Sequence, residues 1–360
     1  MSKLKIAITT RDDGSIWSNG LDQNIYFLYK MLEDMGYEPS LVSETKNSKI
    51  LVDIPIVKLN LKNIDYFDII LEVAHPITEK LTNYFNSKGK PLISIKYGNS
   101  FMIDLEKYIM KDPGASVSSG VNIPFRNREI WVSEQFYKFK DYLETLTRST
   151  VKIIPYIWDS SILRMNDDNF HMKDMKVDRK DFSKIAIVEP NLNILKNCIV
   201  PLSICEMAYD RDKDLIKEVY CFNAKELSKN NVFMNYIKYL NIHKDKISSY
   251  EGRIPIYKIF KNNIAQTIVS TQFFNEQNYV YLETLFYKRL LVHNSPLFKN
   301  AGVYYPEFDV NKGSENLLYA IKHFDQNDHA ESYENKLYEV SIYNEENQRK
   351  TRELIEGVLK

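Results

Sequence analysis

Between Asn275 and Ser295 the chain reads NEQNYVYLETLFYKRLLVHNS. The polar opening leads into a helix whose one acidic side chain, Glu283, stands beside Thr284 and amid Tyr281, Leu282, Leu285 and Phe286. A carboxylate in such apolar company needs hydroxyls or a cation to satisfy it. The paired hydroxyls of a ribose would serve; so would a helix-to-helix contact closed by the buried acid. Asn275, Glu276, Gln277 and Asn278, just ahead of the helix, are placed to meet sugar hydroxyls and backbone groups.

A second polar run, EPNLNILK, puts Glu189, Asn191 and Asn193 in the loop beyond a buried strand and Lys196 at or near the start of the next helix. A lysine beside helix-terminal amides suits a diphosphate; the plainer alternative is a solvated helix-start lysine. Arg253, in GRIP, could hold a phosphate with two hydrogen bonds or make a surface ion pair. Earlier in the chain, Gly14 and Gly20 bracket a loop before a helix. Its amides could hold an anion or sugar hydroxyls, or simply turn the chain. The spacing is not GxGxxG, which argues against a dinucleotide. His75 follows IILEV, where an acceptor contact, a proton relay and a satisfied structural histidine are all open readings. KYGNS supplies Lys96, Tyr97, Gly98 and Asn99, as a pocket wall or an ordinary turn.

These residues need strands that end beneath them. KIAITT (5–10), Ser40–Val42, Ile69–Val73, Pro91–Ile95, Glu129–Val132 and Lys152–Ile154 read as strands, with a helix from Leu21 to Met35 carrying Ile25, Leu28, Tyr29 and Leu32. A second series starts at Lys184–Asn191. A helix over Lys196–Tyr209, the strand VYCFN, a helix over Asn231–Leu240 and strands at Asn263–Ser270 and Leu290–His293 follow. The alternation predicts parallel sheets covered on both faces, with ligands at the carboxyl ends of the strands. The expected domains are 1–160, a charged linker over 161–183, 184–325, and a helical segment over 326–360, long and polar from Glu331 to Leu359.

Bulk properties exclude some classes. The 360 residues suggest two domains. The 48 basic and 48 acidic residues cancel, so nothing global draws the chain to nucleic acid or membrane. Cys198, Cys205 and Cys221 lack CxxC spacing and fit a reducing compartment. The six histidines form no HExxH, so no metal is expected. MSKLKIAITT reads as a strand and not a signal peptide, and no apolar run approaches membrane-spanning length. A cytoplasmic location is expected.

The strings EIWVSEQF (129–136), VKIIPYIWD (151–159), EPNLNILK (189–196) and the 275–295 stretch resemble glycosyltransferases of the GT-B class. The resemblance is to the retaining, nucleotide-sugar-dependent branch, with local detail similar to a set of bacterial and phage glycosyltransferases. It covers roughly residues 1–320. It implies an α/β fold of two Rossmann-like domains facing across a cleft. The second domain would hold a nucleoside-diphosphate sugar, with Lys196 on the diphosphate and Glu283 on the ribose. The carboxylate that relatives carry eight residues before that glutamate is Asn275 here, with Glu276 next to it. The arginine five residues before the lysine is Asn191, and Arg253 is the candidate for the missing charge.

The donor set so implied is Glu189, Asn191, Asn193, Lys196, Arg253, Asn275, Glu276, Asn278, Tyr279 and Glu283. The acceptor set is Gly20, His75, Lys96, Tyr97, Gly98 and Asn99, and Lys196, His75 and Arg253 are the expected catalytic residues. The implied reaction moves a sugar to an acceptor hydroxyl with retention, with no tightly bound cofactor and no metal. Neither Asp12-Asp13 nor Asp167-Asp168 looks like a strand-end DxD. The acceptor would be a glycan, a lipid-linked sugar or a hydroxymethylated DNA base. For DNA, residues 121–152 offer Arg126, Arg128, Lys138, Lys140, Arg148 and Lys152, but Glu129, Glu134, Asp141 and Glu144 interrupt any basic stripe. The other readings are an epimerase or hydrolase on a nucleotide sugar, and a non-catalytic nucleotide-sugar-binding protein.

Overall fold

The computed structural model describes residues 3–11, 16, 20–45, 50–110, 124–166 and 175–360. Gly14, both Asp-Asp pairs and residues 121–123 lie outside them. The chain divides into two compact units, 1–159 with 338–360, and 160–337.

The first unit is built on β1 (Lys5–Thr9), α1 (Gly20–Asp34), β2 (Glu38–Ser43), β3 (Ile50–Leu51), β4 (Ile54–Lys58), β5 (Ile69–Glu72), α2 (Glu79–Ser87) and β6 (Leu92–Lys96). It continues with α3 (Ser100–Met110), β7 (Glu129–Ser133), α4 (Lys140–Thr147) and β8 (Thr150–Ile154). Its eight-stranded sheet has the order β3-β4-β2-β1-β5-β6-β7-β8. All neighbours pair in parallel except β3, which turns back on β4. The apolar runs KIAIT and IILE are buried on both faces, as a covered parallel sheet requires. On one face Ala7, Val42, Ile70 and Leu92 pack with Leu81 and Phe85 of α2. Farther along, Ile130, Val132 and Val151 pack with Leu143 of α4.

The second unit contains α5 (Ser161–Asn166), β9 (Lys184–Ile187), α6 (Ile199–Arg211), β10 (Glu218–Cys221), α7 (Asn231–Ile237), α8 (Asn241–Lys244) and β11 (Ser248–Tyr250). Then come α9 (Ile256–Lys261), β12 (Thr267–Val269), α10 (Tyr279–Phe286), β13 (Leu290–His293), β14 (Val303–Tyr304), α11 (Val310–His323) and α12 (Ala330–Glu339). Its six strands are all parallel in the order β11-β10-β9-β12-β13-β14. This is the 3-2-1-4-5-6 order of a doubly wound nucleotide-binding fold, with its switch point between β9 and β12. Thus each unit is a Rossmann-like α/β layer structure, the class expected.

The segment read as helical over Glu331–Leu359 holds two helices, α12 and α13 (Glu345–Leu359). Between them Val340 and Ile342 are buried, and the Val340 carbonyl accepts a hydrogen bond from the Trp158 amide at 2.7 Å. Asn344 then caps α13 by accepting from the Glu346 and Asn347 amides. The 326–360 segment is therefore shared: the boundary falls at Tyr338, and α13 belongs to the first unit. The span expected as a linker holds α5 and a 3₁₀ turn over Arg179–Ser183.

Candidate functional site

The second unit gathers most of the expected donor residues at the carboxyl ends of β9 and β12. Glu189 lies two residues beyond β9 and is fully buried. Its Oε1 accepts from the Ser270 hydroxyl and, at 3.2 Å, from the Thr271 amide, both just past β12. Its Oε2 has no hydrogen-bond partner. Burial pushes this carboxyl up to about 7, against the pull of Ser270 and Lys196. The half-buried Lys196 is pushed down to about 8 by the same desolvation, with Glu189 opposing. Its Nζ donates to the Gln277 carbonyl at 3.4 Å. The two groups thus feel each other's charge without forming an ion pair.

Lys196 does not start a helix. It sits three residues ahead of α6, in a turn closed by a bridge to Asn193 and by the Leu195 amide donating to Asn193 Oδ1 at 3.1 Å. Asn191 is a structural clasp. It takes a left-handed φ of 54°, which asparagine tolerates better than most side chains. Its Nδ2 donates to the carbonyls of Glu189 (3.0 Å) and Asn223 (3.3 Å), and its Oδ1 accepts from the Cys198 amide at 2.8 Å. Where the resemblance implies an arginine facing phosphate, this chain has a residue whose hydrogen-bonding capacity holds the loop in shape.

The stretch from Gln272 to Asn278 is held by a pair that sequence spacing does not reveal. The Gln272 amide donates to Asn294 Oδ1 at 2.8 Å, and Asn294 Nδ2 returns a bond to the Gln272 carbonyl at 3.0 Å. Gln272 Oε1 then accepts from the Asn275 amide at 2.8 Å, leaving the Asn275 side chain unbonded among the described residues. The Glu276 carbonyl accepts from the Ser295 hydroxyl. Asn278 caps α10 by accepting from Val280 N at 3.2 Å, and Tyr279 is the first helical residue. Asn278 is thus a positioning residue for α10.

Glu283 projects from α10 half-buried, and its carboxylate makes no hydrogen bond among the described residues. Desolvation pushes it up to about 8, and the charge of Arg253 opposes the shift. Arg253 is exposed on the loop ahead of α9 and makes neither hydrogen bond nor ion pair among the described residues. The structure does not use Glu283 to bond one helix to another. One further buried group, His293, is structural: its Nδ1 accepts from Ser295 N (3.1 Å), so Nε2 carries the proton toward the Ala301 carbonyl (3.1 Å). Burial pushes it down to about 4.

In the first unit, Gly20 opens α1, and His75 lies three residues past β5, exposed, with an imidazole that makes no hydrogen bond among the described residues. The His75 carbonyl, not its ring, is engaged, by the Thr9 hydroxyl at 2.8 Å. Lys96 ends β6 half-buried, and burial pushes it down to about 8 while Glu72 and Asp104 oppose. Asn99 accepts from Met102 N at 3.1 Å and so fixes the start of α3. Gly98 is exposed. Of the cations that residues 121–152 offer, Arg126 does not face solvent. Arg126 is buried, ion-paired with Glu72, and bonded to the Ile77 carbonyl at 2.8 Å and to the Thr82 hydroxyl. Arg128 is spent on the Val358 carbonyl and Lys152 on Glu129.

Among the described residues no three His, Cys, Asp or Glu side chains group as metal ligands, and no helix is long and apolar enough to cross a membrane.

Solved structures identify the class that this architecture defines, the GT-B fold of glycosyltransferases. A glycosyltransferase from Rickettsia africae ESF-5 matches with a TM-score of 0.60 at 14% identity, covering 100% of both chains. The Anabaena protein HepE, solved with UDP and glucose, matches at 0.59 with 11% identity, over 98% of this chain and 100% of that one. The T4 phage enzyme BGT, solved with its substrate UDP-glucose, matches at 0.54 with 14% identity, over 98% and 99%. At these identities the likeness is one of fold. Within that class, the chain belongs to the family described as protein of unknown function DUF2827, whose model matches residues 5–355. No curated protein matches the chain.

Proposed function

We propose that the protein is a glycosyltransferase that takes its sugar from a nucleoside diphosphate bound to the second unit. What supports this reading is that Lys196, Glu283 and Arg253 each lack an ion-pair partner among the described residues of a unit whose sheet has the 3-2-1-4-5-6 order. In this reading the Glu283 carboxylate takes the two ribose hydroxyls. Lys196 and Arg253 face the diphosphate. Asn275, Glu276 and Tyr279 line the sugar.

As the bond from the anomeric carbon to the diphosphate oxygen breaks, its electron pair moves onto the phosphate, the acceptor oxygen bonds to the anomeric carbon, and the acceptor's proton passes to the departing phosphate oxygen. Lys196 and Arg253 meet the charge that develops there. Glu189 acts as a positioning residue, because it ties the end of β9 to Ser270 and Thr271 and so sets the loop that leads to Asn275. We assign retention of configuration on the resemblance of residues 275–295 to the retaining branch, and a metal-independent site on the cations Lys196 and Arg253, which can meet the diphosphate charge. We place the acceptor on the first unit, beside His75 and Lys96, and the protein in the cytoplasm.

The test is a thermal-shift and calorimetric titration against UDP-, GDP-, CDP- and dTDP-sugars. Uridine donors come first, since HepE was solved with UDP and BGT with UDP-glucose. One donor should stabilise the wild type, and Glu283→Gln should weaken it at least tenfold without unfolding the protein. No shift with any donor, in a folded sample, overturns the reading.

A further inference from the structure

Two loops at the carboxyl edge of the second unit's sheet bring phenyl rings together at the surface. Phe273 and Phe274 follow β12, and Phe308 follows β14. Phe273 joins the other two. Its ring centroid lies 4.5 Å from that of Phe274 and 5.5 Å from that of Phe308, with the planes tilted by 50° and 48°. Phe274 is 39% and Phe308 45% exposed. Single apolar side chains on a surface are ordinary, but exposed rings in contact, edged by polar groups, mark a place where something binds.

The cluster is held in place. Phe274 takes a left-handed φ of 49°, and Glu307, just ahead of Phe308, one of 47°. For such side chains that backbone is strained, and strain of this kind gathers at ligand sites. Asn294, buried just beyond β13, ties the two loops together. Its Nδ2 donates to the Gln272 carbonyl at 3.0 Å and to the Glu307 carbonyl at 2.6 Å. The Phe273 amide donates to the Leu195 carbonyl at 2.8 Å, which joins the rings to the loop that carries Glu189 and Lys196.

The polar rim indicates the ligand. Residues 271–280 and 303–310 carry Glu276, Glu307 and Asp309 and no Lys or Arg of their own. Lys196 bonds the first loop three residues beyond Phe274, at the Gln277 carbonyl. Asp309 caps α11. The Glu307 carboxylate, however, makes no hydrogen bond or ion pair among the described residues, and neither does the side chain of Asn275, the residue after Phe274. Phenyl faces edged by carboxylates disfavour a phosphate or an acidic lipid headgroup. They match a pyranose, whose ring C–H groups form an apolar face and whose hydroxyls donate from its edge to carboxylate and amide oxygens.

We propose that Phe273, Phe274 and Phe308 form a stacking platform for a pyranose ring of a neutral saccharide, with Glu307 and Asn275 taking its hydroxyls. That this saccharide takes part in sugar transfer rests on the glycosyltransferase reading; the platform itself does not.

Saturation-transfer NMR on the full chain, without donor, would compare the methyl glycosides of glucose, galactose and N-acetylglucosamine with glucose 6-phosphate and choline. Sedimentation with phosphatidylglycerol vesicles would test a lipid surface. At least one glycoside should bind, with saturation strongest on the C–H protons of one ring face, and at least threefold more tightly than glucose 6-phosphate or choline. Phe308→Leu keeps an apolar side chain but removes the ring, and should weaken the glycoside at least fivefold. Phe308→Trp should stay within about twofold of wild type, and nucleotide affinity should be unchanged in both variants. Absence of glycoside binding, a preference for choline or for the vesicles, or a Phe308→Leu variant that binds like wild type would each overturn the proposal. Glycoside binding by a protein that ignores every nucleotide would sink the donor assignment and leave the platform standing; nucleotide binding without glycoside binding would do the reverse.

Discussion

Glu72 and Glu189 are both buried carboxylates at the carboxyl end of a central parallel strand, and they are treated in opposite ways. In the first unit, Glu72 has every lone pair of consequence occupied by Arg126, Asn127 and the Ile77 amide. In the second, Glu189 keeps one oxygen unbonded, and the nearest cation, Lys196, bonds a carbonyl instead of pairing with it. Glu72 is thus built as a structural tie, closing the β5–α2 connection. The charges of Glu189 and Lys196 are left incompletely matched among the described residues. A buried acid says little by itself; the accounting of its oxygens says which kind it is.

The largest effect should come from breaking the satisfied pair. Arg126→Met strands the Glu72 carboxylate, so unfolding free energy should fall by about 3–5 kcal/mol. Urea melts would measure it. A loss under about 1 kcal/mol would mean the tie is not structural, and the contrast with Glu189 would collapse.

The pH dependence of the second carboxylate is the next test. The native Glu189 carboxyl is raised from 4.5 to about 7. Between these values the native state holds a proton that the unfolded state has released. Its contribution to stability is therefore complete below about 4.5 and lost as pH rises through about 7. At about 1.4 kcal/mol for each tenfold change in proton affinity, the loss is on the order of 3 kcal/mol. Glu189→Gln should flatten that part of the stability–pH curve. A wild-type curve already flat from pH 4.5 to 7 would show Glu189 to be as well matched as Glu72.

The comparison also shows what a sequence can reveal. Strand positions are legible because buried parallel strands are apolar runs, and β13 falls on the expected Leu290–His293. The Glu283 environment is legible for the same reason, a carboxylate standing out against Tyr281, Leu282 and Leu285. Pairings between distant residues are not. In sequence Arg126 is one cation among several, because its partner lies 54 residues away. The Gln272–Asn294 clasp spans 22 residues with no spacing rule to announce it. Asn191 reads as a substituted phosphate contact, yet its left-handed backbone and three bonds make it a loop fastener. The break between α12 and α13 is marked in sequence by Asn344, an N-cap signal inside an otherwise helical run.

Lys196→Met separates stability from function. Removing a partly buried, desolvated ammonium should leave unfolding free energy within about 1 kcal/mol of wild type, or raise it. Donor affinity should drop about tenfold, equal to about 1.4 kcal/mol. Loss of stability comparable to that of Arg126→Met would place Lys196 with the structural pair.

Arg253→Ala should have the smallest effect on the fold. The side chain is exposed and unbonded among the described residues, so the change should stay within about 0.5 kcal/mol. Its influence is electrostatic, through the charge it places near Glu283, whose carboxyl is held at about 8 against Arg253's pull. Without that charge Glu283 should titrate higher still, leaving less carboxylate at neutral pH to receive ribose hydroxyls. Donor affinity should then fall about threefold at pH 7, and raising the pH toward 9 should recover part of it by ionising Glu283. The same threefold loss at both pH values would confine Arg253 to direct phosphate contact. No loss at either would remove it from the site and leave Lys196 as its only assigned cation.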